Sequence, residues 1–311
     1  MILNILWIVI GIALVLWGAD RMTDGAVALA QRMNIPQIVI GLTIVAMGTS
    51  APELFVSLMS AIRGTADLAV GNVVGSNIFN TFLIVGVAAL VAPMFISKTT
   101  VKKDIPFAVF SAILLTALCW DADISRLDAL ILFIGLIIFM LYTLYQAKKG
   151  KAEVSEEERK NYTPLKSTLL ILLGLACLVG GSNLFVEGAT KIAAALGVSE
   201  AVIGLTVVAG GTSLPELATS VVAARKGQSA IAMGNVIGSN VFNILMILGI
   251  TGLISPMKGL EITVVDLSMM LVGMVLLWLF SFTKFKVERW EGGVLTLIFL
   301  GYMTWLVSNA I

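Results

Sequence analysis

Two glutamates, Glu53 and Glu216, stand inside apolar stretches with the nearest Lys or Arg outside the segment. An ionised group at the centre of a bilayer costs on the order of 3 kcal/mol on insertion scales, so something must compensate each carboxylate. The candidates are protonation, polar neighbours, water or a bound cation. On a helix, Thr49, Ser50 and Glu53 fall at i, i+1 and i+4, and their oxygens gather on one side. Thr212, Ser213 and Glu216 repeat the arrangement. Proline adds backbone to the same place. Pro52 has no N–H and its ring clashes with the carbonyl of Gly48, so a distortion near 46–49 with freed carbonyls is expected, and Pro215 acts likewise on Gly211. Free carbonyls are tolerated at membrane depth only where they line a cavity or are buried in protein. Hydroxyls, carbonyls and carboxylates together make an all-oxygen shell, suited to hard cations such as Ca²⁺ and Na⁺.

Further along, Asn72, Ser76 and Asn80 recur every four residues and share a helix face, as do Asn235, Ser239 and Asn243. Ser76, Asn80, Ser239 and Asn243 are expected to line an ion path, because polar groups facing a cavity inside a membrane mark pathways. Asn72, Asn77, Asn235 and Asn240 are expected to fasten helices. The pairs Gly71/Gly75 and Gly234/Gly238 form G-x-x-x-G spacings that permit close helix approach. Asp20, Asp24, Asn183 and Glu187 fall near the ends of the first span of each half and read as solvated helix ends. Asp121, Asp123 and Asp128 read as a wet loop.

The elements that position these groups must be membrane helices. Of 311 residues, 59% are hydrophobic and 13% charged, where a soluble domain carries about 25% charged residues. Apolar runs fill the chain from end to end, and spans are expected near residues 2–19, 36–61, 68–92, 105–120, 127–146, 167–187, 199–224, 230–254, 264–282 and 292–309. The first run lacks the basic start and cleavage site of a signal peptide and reads as a retained span. With no histidine, and with Cys119 and Cys177 alone in apolar runs, neither a transition-metal motif nor a disulfide framework follows. Net charge is +1, which gives no reason to expect nucleic acid as a partner. No catalytic nucleophile or cofactor motif is present, so neither an enzyme nor a cofactor is expected. The lipid bilayer is the expected partner, and oligomeric state stays open.

The strongest signal is internal repetition. A shift of 163 residues aligns 18–86 with 181–249 without a gap, with 31 identities in 69 pairs. The expected organisation is a first five-helix repeat at 1–146, a cytoplasmic linker at 147–166 and a second five-helix repeat at 167–311, with α-repeat motifs at 36–92 and 199–255. Five spans per half is an odd number, so equivalent helices cross in opposite directions. An all-α polytopic protein of ten transmembrane helices in two inverted repeats follows, a plan that recurs in secondary transporters. Placing alternate loops together puts sixteen Lys and Arg on the linker side and leaves Arg63, Arg126, Lys191 and Lys258 opposite. That asymmetry puts the linker in the cytoplasm and both termini outside.

The motifs G-T-S-A-P-E at 48–53 and G-T-S-L-P-E at 211–216, with G-N-V-V-G-S-N-I-F-N at 71–80 and G-N-V-I-G-S-N-V-F-N at 234–243, resemble the α-repeats of the calcium/cation antiporter superfamily, particularly its sodium/calcium exchanger family. The resemblance implies that Glu53 and Glu216 are central ligands, that Thr49, Ser50, Thr212 and Ser213 add oxygens, and that Ala46 and Ala209 offer backbone carbonyls. It also implies that Ser76, Asn80, Ser239 and Asn243 complete a cluster of adjoining cation sites for Ca²⁺ and Na⁺, and that the first and sixth spans slide over a more rigid core. Many family members carry Asp at the position of Asn243 or of Asn80. Asn at both leaves two formal charges, enough for one Ca²⁺ or two Na⁺, and makes potassium co-transport less expected. The expectation is therefore a prokaryotic, cell-membrane antiporter that extrudes Ca²⁺ against Na⁺ by alternating access. A Ca²⁺/H⁺ exchanger of the same superfamily is the alternative, and a passive cation channel is the alternative from another class. The linker is too short for a folded calcium-sensing domain, so no large regulatory module is expected.

Overall fold

A computed structural model describes residues 1–149, 162–197 and 207–310. The fold is almost wholly helical. In chain order the helices are α1 (Ile2–Met33), α2 (Gln37–Thr49), α3 (Ala51–Ile62), α4 (Ala66–Val91), α5 (Thr100–Asp121), α6 (Arg126–Lys149), α7 (Pro164–Ala195), the single turn α8 (Ala209–Thr212), α9 (Leu214–Arg225), α10 (Ser229–Ile254), α11 (Val264–Ser281) and α12 (Arg289–Ala310). Among the described residues, eight helices are long and apolar enough to cross a membrane, and nine if α2 and α3 count as one span. The expected span at 199–224 lies partly outside the described residues.

Several expected boundaries are corrected. The first and sixth spans do not stop at 19 and 187 but run to Met33 and Ala195. Asp20 and Asp24 are therefore not at a solvated helix end. They sit within α1, where both pair with Lys226 beyond the end of α9, and an intrahelical charge with a partner does not terminate a helix. The expected single helix at 36–61 is two helices meeting at Ser50 with a bend of 46°. Pro52 stands in the first turn of α3, where a missing N–H is tolerated. Helix α6 reaches Lys149 and α7 begins at Pro164, so both ends of the expected linker are helical, and 150–161 lie outside the described residues.

The repeat of the sequence reappears in the element boundaries. Helices α3 and α9, the starts of α4 and α10, and the starts of α6 and α12 are each 163 residues apart. A two-residue ladder, β1 (Met94–Phe95) on β2 (Lys286–Val287), pairs Met94 with Val287. An isolated bridge pairs Ile124 with Met257, which are the same two repeat positions with the halves exchanged.

Helices α1 and α7 cross antiparallel along glycines seven residues apart, Gly11, Gly18 and Gly25 on one and Gly174, Gly181 and Gly188 on the other. A Cβ at Gly18 would lie 2.7 Å from the carbonyl oxygen of Gly174, and one at Gly181 2.7 Å from that of Gly11. Only glycine admits backbones this close. Helices α4 and α10 are the most enclosed spans, whereas α1, α6, α7 and α12 turn rows of Leu, Ile, Val and Trp outward. Apolar faces that extensive require a lipid solvent. Trp120, Trp290 and Trp305 are exposed, and exposed tryptophans at helix ends suit a membrane–water interface.

Candidate functional site

The bend at Ser50 and its counterpart at Ser213 bring the two halves' T-S-x-P-E turns face to face. Ser213 Oγ donates to Glu53 Oε1 at 3.2 Å and lies 3.4 Å from Ser76 Oγ. Ser50 Oγ donates to Glu216 Oε1 at 3.1 Å. Each glutamate is thus held by the serine of the other half, with Thr212 beside Glu53 and Thr49 beside Glu216. Both carboxylates are buried, at 0% and 1% exposure. Among the described residues neither forms an ion pair, and no cationic side chain there neutralises them.

The asparagines of the adjoining helices act as the sequence reading expects. Asn72 Nδ2 donates to the Glu53 carbonyl at 3.2 Å and to Ser57 Oγ at 2.9 Å. Asn235 Nδ2 makes the same two bonds to the Glu216 carbonyl and Ser220 Oγ. Thr49 Oγ1 in turn lies 3.0 Å from Asn235 Oδ1 and 3.2 Å from the carbonyls of Val45 and Ala46. Asn240 bridges Asn80, at 3.1 Å, and Thr81, at 3.0 Å. Asn77 reaches the sulfur of Met270 at 3.8 Å. Ser57, Ser220 and Thr81 were not singled out from sequence, although Ser57 and Ser220 are identical repeat mates.

Local helix geometry aims the polar face inward. Helices α4 and α10 pass through wider π-helical turns at Phe79–Ile84 and Phe242–Leu248, which begin one residue before Asn80 and Asn243. Such turns are common at functional sites because the extra residue re-aims side chains. Glycine brings α2 against α10, where a Cβ at Gly234 would lie 2.8 Å from Gly41 Cα and one at Gly238 2.7 Å from Ala46 Cβ. Gly71 and Gly75 have no such close neighbour among the described residues. One backbone expectation changes: the Gly211 carbonyl that Pro215 cannot serve accepts from Ser182 Oγ of α7 instead of standing free. The Ala46 carbonyl accepts from the Ser50 N–H at 3.0 Å.

Among the described residues the arrangement has no positive charge and too few donors for its oxygens. Glu53 Oε2, Glu216 Oε2, Asn80 Oδ1, Asn243 Oδ1 and Ser239 Oγ are all buried without a hydrogen-bond partner. A native fold leaves few such atoms, and each needs an explanation. Of the eleven such atoms among the described residues, eight, these five included, are oxygens on the four helices α3, α4, α9 and α10 that enclose the two carboxylates. That donor set fits an unprotonated hard cation.

A polytopic helical membrane protein with paired, uncompensated carboxylates in its core defines a class, the ion-handling membrane carriers. The sequence profile described as Sodium/calcium exchanger protein matches residues 3–145 and 166–308. The chain belongs to this family of cation/Ca²⁺ antiporters. It is 37% identical to the putative antiporter CaxA of Alkalimonas amylolytica, over 99% of this chain and 100% of that protein. It is 33% identical to the sodium/calcium exchanger MaX1 of Methanosarcina acetivorans, over 96% and 97% of the two chains. The fold matches the sodium-calcium exchanger NCX_Mj, in its form soaked with zero Na⁺ and Ca²⁺, with a TM-score of 0.86 and 32% identity, over 98% of this chain and 99% of that one.

Proposed function

We propose that the protein exchanges Na⁺ for Ca²⁺ by alternating access and extrudes Ca²⁺ from the cell, through one set of overlapping sites built on Glu53 and Glu216. In this reading Thr49, Ser50, Thr212, Ser213, Ser76, Asn80, Ser239 and Asn243 supply the remaining oxygens, with backbone oxygens of Ala46 and Ala209 at the margins. The chain forms ten spans in two inverted five-helix halves. The linker lies in the cytoplasm, both termini lie outside, and the membrane is the cell membrane.

The observation that carries the proposal is the pair of buried, cross-held carboxylates with orphaned oxygens and, among the described residues, no partner cation. Two such charges are too costly to bury empty. One Ca²⁺ or two Na⁺ satisfies them, so a loaded carrier crosses while an empty one does not. Ions that use the same oxygens exclude each other, and exclusion couples their fluxes without any further device. Antiparallel packing of the repeat mates α1 and α7 supports the inverted organisation, because equivalent helices there run in opposite directions.

The test is Ca²⁺ titration of the purified protein at increasing Na⁺. Apparent Ca²⁺ affinity should fall with more than the first power of Na⁺ concentration, since two Na⁺ replace one Ca²⁺. Ca²⁺ binding indifferent to Na⁺ but displaced by protons refutes Na⁺ competition and transfers the same site to Ca²⁺/H⁺ exchange.

A further inference from the structure

Lys226 follows the last residue of α9 and reaches across to α1, with Nζ 2.5 Å from Asp20 Oδ1, 2.8 Å from Asp24 Oδ1 and 3.2 Å from the Asp20 carbonyl. Asp24 is nearly buried, its side chain 10% exposed, and Lys226 is 29% exposed. This is an ion-paired bridge between the first helix and the helix that carries Glu216, and nothing in ion coordination requires it.

The repeat supplies its meaning. The 163-residue shift carries Lys226 back to Arg63, Asp20 forward to Asn183 and Asp24 forward to Glu187. The two halves therefore hold the parts of a second bridge with their roles exchanged, a cation after α3 of the first half and an acid with an amide on α7 of the second, at the opposite end of the molecule. There the parts are not joined. Arg63 forms no ion pair among the described residues, and Glu187 is taken by Lys191 of its own helix at 2.8 Å. One copy of a duplicated contact is closed while the other is open.

Resting on the alternating-access reading above, we infer that Lys226 with Asp20 and Asp24, and Arg63 with Glu187, are alternating latches, one closed in each of the two access states. Inverted halves change access by exchanging their conformations. When they do, Glu187 takes the place over Arg63 that Asp24 holds over Lys226 here, and the Lys226 bridge parts. The linker-side latch has two carboxylates. Its counterpart has one, for which Lys191 competes, so the closed Lys226 state is favoured at rest. Partly exposed ion pairs suit the role because water, which reaches Lys226 and Asp20 at 29% and 35% exposure, repays part of the cost of opening them.

The inference is tested by thiol bridging in a Cys119→Ala, Cys177→Ala background. Asp24→Cys with Lys226→Cys, bridged by a short bis-methanethiosulfonate reagent, should lower Na⁺-driven Ca²⁺ uptake by more than tenfold, with recovery on reduction. Arg63→Cys with Glu187→Cys should also bridge, and adding Lys226→Gln should speed that bridging by about threefold to tenfold, the weight of one or two partly exposed ion pairs. Replacing Lys226→Gln by the charge exchange Asp24→Lys with Lys226→Asp should return the rate towards the parent's, which separates the latch from a general loosening of the fold. Full uptake through a bridged Asp24/Lys226 pair, or Arg63/Glu187 bridging indifferent to Lys226→Gln, overturns the latch. Bridging rates need no ion gradient, so absence of uptake in every variant, reduced ones included, would refute the exchange reading while the rates still decide the latch.

Discussion

Replacing Glu53 by Gln removes one formal charge and little else. Gln keeps an acceptor oxygen for Ser213 Oγ, which donates to Glu53 Oε1 at 3.2 Å, and keeps the side-chain volume in a position that is 0% exposed. The site falls from two negative charges to one. A bound Ca²⁺ is then left with one unbalanced positive charge among neutral oxygens. Removing one partner of a buried charge pair costs about 3–5 kcal/mol, which is about two to three and a half orders of magnitude in Ca²⁺ affinity. A single Na⁺ still balances the remaining carboxylate, so Na⁺/Na⁺ exchange should outlast Ca²⁺ transport. Glu216→Gln should behave alike, because Ser50 holds Glu216 as Ser213 holds Glu53. The assay is calorimetric Ca²⁺ titration in detergent, paired with ²²Na⁺ exchange in proteoliposomes. Ca²⁺ affinity within about threefold of the parent in either variant, well below the lower bound of that cost, would refute the argument that the carboxylate charge holds the ion.

Other consequences can be read from particular contacts. Ser57→Ala deletes the 2.9 Å bond that steadies Asn72 behind Glu53; it should cost about 1 kcal/mol, seen as a lower unfolding temperature and a several-fold weaker Ca²⁺ affinity. Gly18→Ala places a Cβ 2.7 Å from the Gly174 carbonyl oxygen and 3.0 Å from the Leu178 nitrogen; overpacking of about 1–3 kcal/mol should appear as thermal destabilisation and slower exchange. Thr263→Ala removes the capping box at the start of α11, where Thr263 accepts from the Asp266 N–H; a loss of about 1 kcal/mol in thermal unfolding with unchanged Ca²⁺ affinity is expected. Asn243→Asp turns an orphaned oxygen into a third carboxylate, and titration of Ca²⁺ affinity against Na⁺ should become steeper, since one more Na⁺ is needed to neutralise the site.

Much of the site was legible in the sequence because duplication marks it. Glu53 and Glu216, their Thr-Ser neighbours and the Asn72 and Asn235 clamps recur at one spacing, and a polar residue kept twice in apolar sequence carries its own signal. Helix ends were less legible. Asp20-Arg21 reads as the end of a span by hydropathy, but α1 continues because Lys226, more than two hundred residues away, neutralises the acids, and no local pattern encodes such a partner. The Ser182 bond to the Gly211 carbonyl was hidden for another reason. Its repeat mate is Ala19, which has no donor, so symmetry points away from it. The π-helical turns beside Asn80 and Asn243 leave no mark in composition, since they differ from the surrounding helix only in hydrogen-bond register. The glycines of α1 and α7 are visible in the sequence at their seven-residue spacing, but their partners appear only once the two helices are packed.

The measurement that bears most directly on the central claim is ⁴⁵Ca²⁺ uptake into proteoliposomes loaded with Na⁺ and diluted into Na⁺-free medium, beside K⁺-loaded vesicles and vesicles given a pH jump. The account predicts uptake with the outward Na⁺ gradient, none above background with K⁺ or the pH jump, and none in Glu53→Gln or Glu216→Gln. Uptake driven by the pH jump alone, or uptake that needs no counter-ion, would contradict it.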